Sequence, residues 1–481
     1  MAALLKVNGS ISRFINLSPK VPCLTALYNQ RWKSTQALTY EQAVLNLPET
    51  KVTTLSNGVK VATENSGSST STVGLWIDAG SRYENSRNNG AAHFLEHLSF
   101  KGTKTRSPTD LELEIENLGA HLSSYTSREQ TAYYVKCFQK DIPKAVEILA
   151  DVTQNSLLSE EAIEKEKRVI LHELQEAETN LQEVVLDHLH SIAYQGTPLG
   201  QTVLGPSENI KSIKRSDLVN YAQNNFKGPR IVVAAAGGVN HGDLCKLAEQ
   251  YFGKISYAYD SEIPDLPQTR FTGSELRVRD DFLPLAHVAI AVESCGWQNP
   301  DSLALTLAST LIGSWDRSHG GGVNHASQLA RHSAQLNLAH NFQSFSTHYS
   351  DTGLWGIYFA CDKMLIDDFI YNVQHEWMRL CGGVKESEVE RARNMMITNV
   401  LLHLNGSTPV CDDIGRQLLS YGRRIPIEEL ELRLKAINSE TLREVAMKYI
   451  YDKCPAVVGV GPVEGLTDYN RLRAGMYWLR T

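Results

Sequence analysis

A faint internal repetition limits the possible folds of this chain most. Thr72 to Ala79 (TVGLWIDA) reads as a buried strand, and Leu285 to Glu293 (LAHVAIAVE) has the same character roughly 210 to 220 residues later. Ile231 to Gly237 (IVVAAAG) is echoed by Ala456 to Gly461 (AVVGVG). A strand hairpin at Ala120 to Ser127 and Thr131 to Cys137 returns at Phe345 to Ala360, and the charged helical stretch Ser159 to Ala193 returns from Lys385. Repeats of this size are duplicated domains rather than a solenoid. The expectation is an α+β fold of two similar domains, residues 45–255 and 271–481, each a mostly antiparallel sheet packed with helices. Residues 256–270, with Pro264 and Pro267, are expected to link them.

Charge is unevenly spread. Residues 1–40 contain no Asp or Glu but carry Lys6, Arg13, Lys20, Arg31 and Lys33, and are rich in Ser, Leu and Ala. This is the composition of a mitochondrial transit peptide, expected to span residues 1–33; a disordered basic tail is the alternative. Its removal takes the formal net charge from −7 to −12. So acidic a chain favours basic partners and argues against nucleic acid. Eight scattered cysteines with no CxxC pair argue against a thiolate zinc site or a disulfide framework.

The chemistry concentrates in His93-Phe94-Leu95-Glu96-His97, which follows Gly90 without a helix breaker. Residues four apart share a helix face, so His93 and His97 can converge on one metal ion with Glu96 beside them. Two imidazoles suit zinc, and a carboxylate that does not bind the metal can take a proton from water. Chance placement of two surface histidines and a Glu is the competing explanation. A catalytic zinc usually has three protein ligands. The Ser159 to Ala193 stretch, read as one long helix, offers Glu166, Glu173, Glu183 and Asp187 on one flank, although a solvated charged face gives the same pattern.

Together with Glu173, His93-Phe-Leu-Glu-His97 resembles the signature of the pitrilysin-type inverzincins, in particular the β-type subunits of mitochondrial processing peptidases. Gly74-Leu-Trp-Ile-Asp-Ala-Gly-Ser-Arg-Tyr-Glu84, Phe100-Lys-Gly-Thr-Lys104, Tyr125-Thr-Ser-Arg-Glu-Gln130, Asn180-Leu-Gln-Glu-Val-Val185 and Asp351-Thr-Gly-Leu-Trp355 carry the same resemblance. It implies that His93, His97 and Glu173 bind Zn2+, that Glu96 is the general base, and that Glu166 is a supporting carboxylate near the metal. It also implies that Glu183 and Asp187 hold a basic side chain of a cationic presequence peptide. The resemblance likewise places Ser123, Ser124 and Tyr125 on an edge strand that pairs with extended substrate. The family usually has Asn-Ala where this chain has Ser123-Ser124.

The resemblance further implies an obligate α-type or core 2-like partner carrying a glycine-rich loop, and a place in the mitochondrial matrix or on the matrix face of the inner membrane. The second half carries no His-x-x-Glu-His, so its expected role is structural or substrate-facing. The core subunits of ubiquinol–cytochrome c reductase (respiratory complex III) resemble the chain too, through Asp468-Tyr-Asn-Arg471 and Met476-Tyr-Trp-Leu-Arg480. Animal core subunits often lack the first metal histidine; both are present here. A presequence endopeptidase, a complex III core subunit and a protein serving both roles therefore stand as alternatives, and a non-catalytic peptide binder would need a broken metal site.

Overall fold

The computed structural model describes residues 47–257, 266, 268–319 and 322–477. The expected transit peptide, most of the expected linker, Gly320-Gly321 and the last four residues lie outside the described residues. Within the described residues the first half forms strands β1 (Lys51–Thr54), β2 (Lys60–Asn65), β3 (Thr70–Ile77), β4 (His121–Thr126), β5 (Thr131–Phe138) and β6 (Ile231–Gly237). Its helices are α1 (Ala91–Leu98), α2 (Pro108–Leu118), α3 (Ile142–Gln154), α4 (Glu160–Ala177), α5 (Leu181–Ala193), α6 (Ser207–Ser212), α7 (Arg215–Asn225) and α8 (His241–Phe252). The second half forms β7 (Glu275–Arg279), β8 (Ala286–Cys295), β9 (Ser314–Asp316), β10 (Asn341–His348), β11 (Thr352–Cys361) and β12 (Ala456–Gly461). Its helices are α9 (Asp301–Ile312), α10 (Gln328–Leu336), α11 (Ile366–Gly382), α12 (Glu386–His403), α13 (Ser407–Ser420), α14 (Ile427–Ala436), α15 (Ser439–Tyr449) and α16 (Tyr469–Gly475).

The two sheets share a topology. Their orders are β1-β2-β6-β3-β5-β4 and β7-β12-β8-β11-β10-β9. Each has one parallel pair, β2–β6 or β7–β12, among antiparallel neighbours. The expected α+β class with two similar sheet-and-helix halves is therefore present.

Strand β3 is buried along nearly its whole length, so both faces of its sheet must be covered. Val73, Leu75 and Ile77 point into a core shared with α1, α3, α7 and α8. The opposite face, with Trp76, Ala132, Val232 and Ala234, is covered by Cys411, Ile414 and Leu418 of α13 from the other half. The exchange is reciprocal. Val185, Leu189 and Ile192 of α5 cover Ala289, Ala291, Leu354 and Val458 of the second sheet. Each half thus lends one helix to the other's sheet, and Pro48–Thr481 forms a single compact unit.

That exchange breaks the expected long helix. α4 stops at Ala177 and α5 starts at Leu181. Asn180 leaves helical geometry (φ −86°, ψ 87°), and Thr179 Oγ1 donates to the Glu176 carbonyl at 2.6 Å. Neither Gly nor Pro marks the site. A β-branched residue beside Asn suffices, because α4 packs with the first half and α5 must turn to reach the second sheet. Glu183 and Asp187 therefore lie on a different helix from Glu173, and a single helical wheel does not relate them.

Candidate metal centre

Gly90 immediately precedes helix α1, and its left-handed φ of 101° suits glycine. Glu84 caps this end from outside the helix. Its carboxylate accepts from the Gly90 and Ala92 amides at 2.8 and 2.6 Å and from Asn89 Nδ2 at 2.8 Å. These bonds satisfy amides that a helix start leaves without partners, and a carboxylate complements the helix dipole. Burial nevertheless pushes the Glu84 carboxyl up to about 7. No spacing rule points to Glu84 as a cap, because it reaches the helix across a loop.

One turn of α1 separates His93 from His97, and their rings lie 4.7 Å apart. Glu173 reaches them from α4, with Oε2 at 3.2 Å from His93 Nε2 and 3.1 Å from His97 Nε2. One ligand atom from each of the three lies within 4.8 Å of the others, the one such group of His, Cys, Asp or Glu among the described residues. Donors about 2.0–2.2 Å from a tetrahedral zinc stand roughly 3.3 Å from one another, so this nitrogen–nitrogen–oxygen set fits such an ion. Burial would lower the His93 imidazole, but Glu173 and Glu96 outweigh it and raise it to about 9. A pocket that favours a proton so strongly also favours a cation. Hydrogen bonding with His93 in turn holds Glu173 below the usual carboxylate range.

Two further carboxylates flank the trio. Buried Glu166 places Oε2 3.2 Å from His97 Nδ1, and Lys101 Nζ lies 3.1 Å from its Oε1. A proton on His97 Nδ1 donates to Glu166 and leaves Nε2 free for a metal. Glu96 lies on the other side, with Oε2 3.7 Å from His93 Nδ1 and Oε1 accepting from Ser124 Oγ at 2.9 Å. Burial would raise Glu96, but His93, Thr126 and Ser124 prevail and keep it below its ordinary value.

The expected substrate residues are more dispersed. Ser123, Ser124 and Tyr125 all lie on β4, at the edge of the first sheet. Strand alternation separates their side chains: Ser124 meets Glu96, while Tyr125 Oη donates to Asp412 Oδ1 at 2.7 Å on the α13 side. Glu183 is exposed on α5. Asp187 is half-buried and already paired, accepting from Arg128 Nη2 at 2.5 Å. The sequence reading also missed Arg82. Its guanidinium joins the halves by donating to Glu129 at 2.5 Å and to Ser350, Asp351 and Thr269 at 2.7 Å. Four partners from distant stretches leave no local pattern by which to find it.

Comparison with known proteins identifies the family. Residues 60–207 match the family described as Insulinase (Peptidase family M16). Residues 212–396 match the Peptidase M16 inactive domain. The chain belongs to peptidase family M16. It is a metallopeptidase. It is 62% identical to the human mitochondrial-processing peptidase subunit beta over 450 residues, 94% of this chain and 92% of that one. It is 53% identical to the mouse cytochrome b-c1 complex subunit 1 over 443 residues, 92% of each. A chain in the structure entitled "Complex III2 from Candida albicans, Inz-5 bound" superposes with a TM-score of 0.81 at 29% identity, covering 89% of this chain and all of that one. The M16 inactive-domain match runs from the end of the first half into the second and contains no His-x-x-Glu-His motif.

Proposed function

We propose that this M16 metallopeptidase is the catalytic subunit of a zinc endopeptidase that removes N-terminal presequences from proteins imported into mitochondria. His93, His97 and Glu173 hold one Zn2+, and Glu166 orients His97. Bound there, zinc supplies a Lewis acid for the scissile carbonyl and acidifies water. Glu96 takes a proton from the attacking water as its oxygen bonds to the carbonyl carbon. It then passes that proton to the departing amine as the C–N bond breaks. The unpaired edge of β4 accepts an extended peptide through backbone hydrogen bonds, which tolerates varied sequences. Exposed Glu183 and the outer edge of Asp187 draw in basic side chains.

Residues 1–33 are the import signal, 45–255 the metal-bearing domain and 271–481 the repeat domain. The protein works on the matrix side with an α-type partner. The observation that carries this reading is the convergence of three ligand atoms within 4.8 Å, with a further carboxylate, Glu96, beside them. In the complex with an α-type subunit, Glu96→Gln is expected to keep zinc, measured by metal analysis, and to abolish cleavage of a presequence peptide. Retained cleavage would overturn the assignment.

A second role, as a core subunit of complex III, is favoured by the identity with cytochrome b-c1 complex subunit 1 and by the likeness to the Candida albicans chain. Co-purification with inner-membrane haem proteins tests it, and that result is independent of the Glu96→Gln result.

A further inference from the structure

We propose that Ser124 is a positioning residue for the general base: its hydroxyl clamps one oxygen of Glu96 and ties the base to the strand on which substrate docks. The inference rests on the reading of Glu96 as the base. Glu96 lies near the end of a two-turn helix and carries two freely rotating side-chain torsions before its carboxylate. No side chain of α1 makes a directed hydrogen bond to that carboxylate. The His93 contact, at 3.7 Å, is too long for a hydrogen bond. The directed bond comes from outside the helix, where Ser124 Oγ donates to Glu96 Oε1 at 2.9 Å. A hydroxyl-to-carboxylate bond of this kind is charge-assisted and stronger than a neutral one.

Thr126 lies two residues further along the same face of β4. Its buried Oγ1 falls outside hydrogen-bond geometry. Of the two hydroxyls, only Ser124 fixes where the carboxylate points. The clamp engages Oε1 and leaves Oε2, the oxygen on the His93 side, free to take a proton from water. Effective proton transfer needs the acceptor oxygen within hydrogen-bond reach in the reacting geometry, so a fixed rotamer acts on the chemical step.

The location of the clamp adds a second consequence. β4 pairs with β5 on one side, Ser124 opposite Tyr133, and among the described residues its other edge is unpaired. A peptide added to that edge bonds to the β4 backbone while the Ser124 side chain holds Glu96. The residue that registers the substrate is thus the residue that aims the base.

The test uses the full chain in complex with its α-type partner, with a presequence peptide as substrate. Ser124→Ala is expected to lower kcat about tenfold, the loss that follows from removing one hydrogen bond to a charged group. KM should stay within about twofold and zinc content should not change, because neither the strand backbone nor the ligands are altered. Ser124→Thr keeps the hydroxyl on a residue that suits a strand and is expected to restore kcat. Thr126→Val should cost less than Ser124→Ala. An unchanged kcat for Ser124→Ala, a loss confined to KM, or failure of threonine to rescue would overturn the clamp. Glu96→Gln in the same assay separates the two ideas: if it stays active, the base assignment fails; if it is inactive while Ser124→Ala is unimpaired, only the clamp fails.

Discussion

Gly415→Ala is expected to destabilise the protein although it replaces a mid-helix glycine by the best helix former. Gly415 sits in α13, the helix lent by the second half to the first sheet. A Cβ at this position would lie 2.2 Å from Trp76 Cδ2, 2.4 Å from Cγ and 2.7 Å from Cε2. The indole cannot retreat. It is fully buried, it stacks on Tyr134, and its Nε1 donates to Asp412 Oδ1 at 3.0 Å. Overpacking of this kind costs about 1–3 kcal/mol. Pushing the ring off Asp412 costs about 1.5–3 kcal/mol more, since the lost acceptor is charged. Alanine returns about 1 kcal/mol of helix propensity. The net is a loss of roughly 1.5–5 kcal/mol. The measurement is the urea midpoint followed by tryptophan fluorescence. Gly382→Ala, at the end of α11 where an added Cβ meets nothing within 4 Å, serves as control and should be neutral or slightly stabilising. If Gly415→Ala matched or exceeded the wild type in stability, the contact between α13 and Trp76, and with it the argument that exchanged helices hold the halves together, would be refuted.

Other consequences can be measured directly. Glu166→Gln keeps all three candidate ligands but weakens the hold on His97 Nδ1, so zinc affinity should fall about 10- to 100-fold in a chelator competition; an unaltered affinity would show that Glu166 does not orient the ligand. His190 is buried between α5 and the second sheet, 2.7 Å from both the Leu186 carbonyl and Tyr349 Oη. Burial holds its imidazole well below 6.5. The folded protein therefore keeps His190 neutral at pH values where the unfolded chain takes up a proton. Stability from this group is full above about pH 6.5 and is lost as pH falls below it. Urea midpoints between pH 5 and 7.5 should drop on the acid side, and His190→Gln, which cannot take that proton, should reduce the slope; an identical slope would exclude His190 as its source.

Much of the fold can be read from short stretches. Strands such as Ile231–Gly237 and Ala456–Gly461 are continuous apolar runs because both faces of their sheets are covered, and that demand is written residue by residue. The placement of His93 and His97 on one face is equally local, since it follows from the pitch of a helix. The break at Thr179-Asn180 was not legible. No Gly or Pro marks it, and the turn is imposed by the separate destinations of α4 and α5. Nor did spacing reveal the Arg128–Asp187 pair, which joins a hairpin turn to a helix of the same half.

The sequence by itself determined the duplicated α+β architecture, the charge that favours basic partners, and the motif in which two imidazoles and a carboxylate share one helical turn. Tertiary structure decided which carboxylate of the acidic stretch meets the histidines, which helix covers which sheet, and that Ser124 faces Glu96. The division has a physical cause. Helical and strand periodicities act over a few residues and leave a pattern in the chain. The pairing of Glu173 with His93 and His97, or of Trp76 with α13, is set by which apolar surfaces bury one another once both halves have folded, and that choice has no local signature.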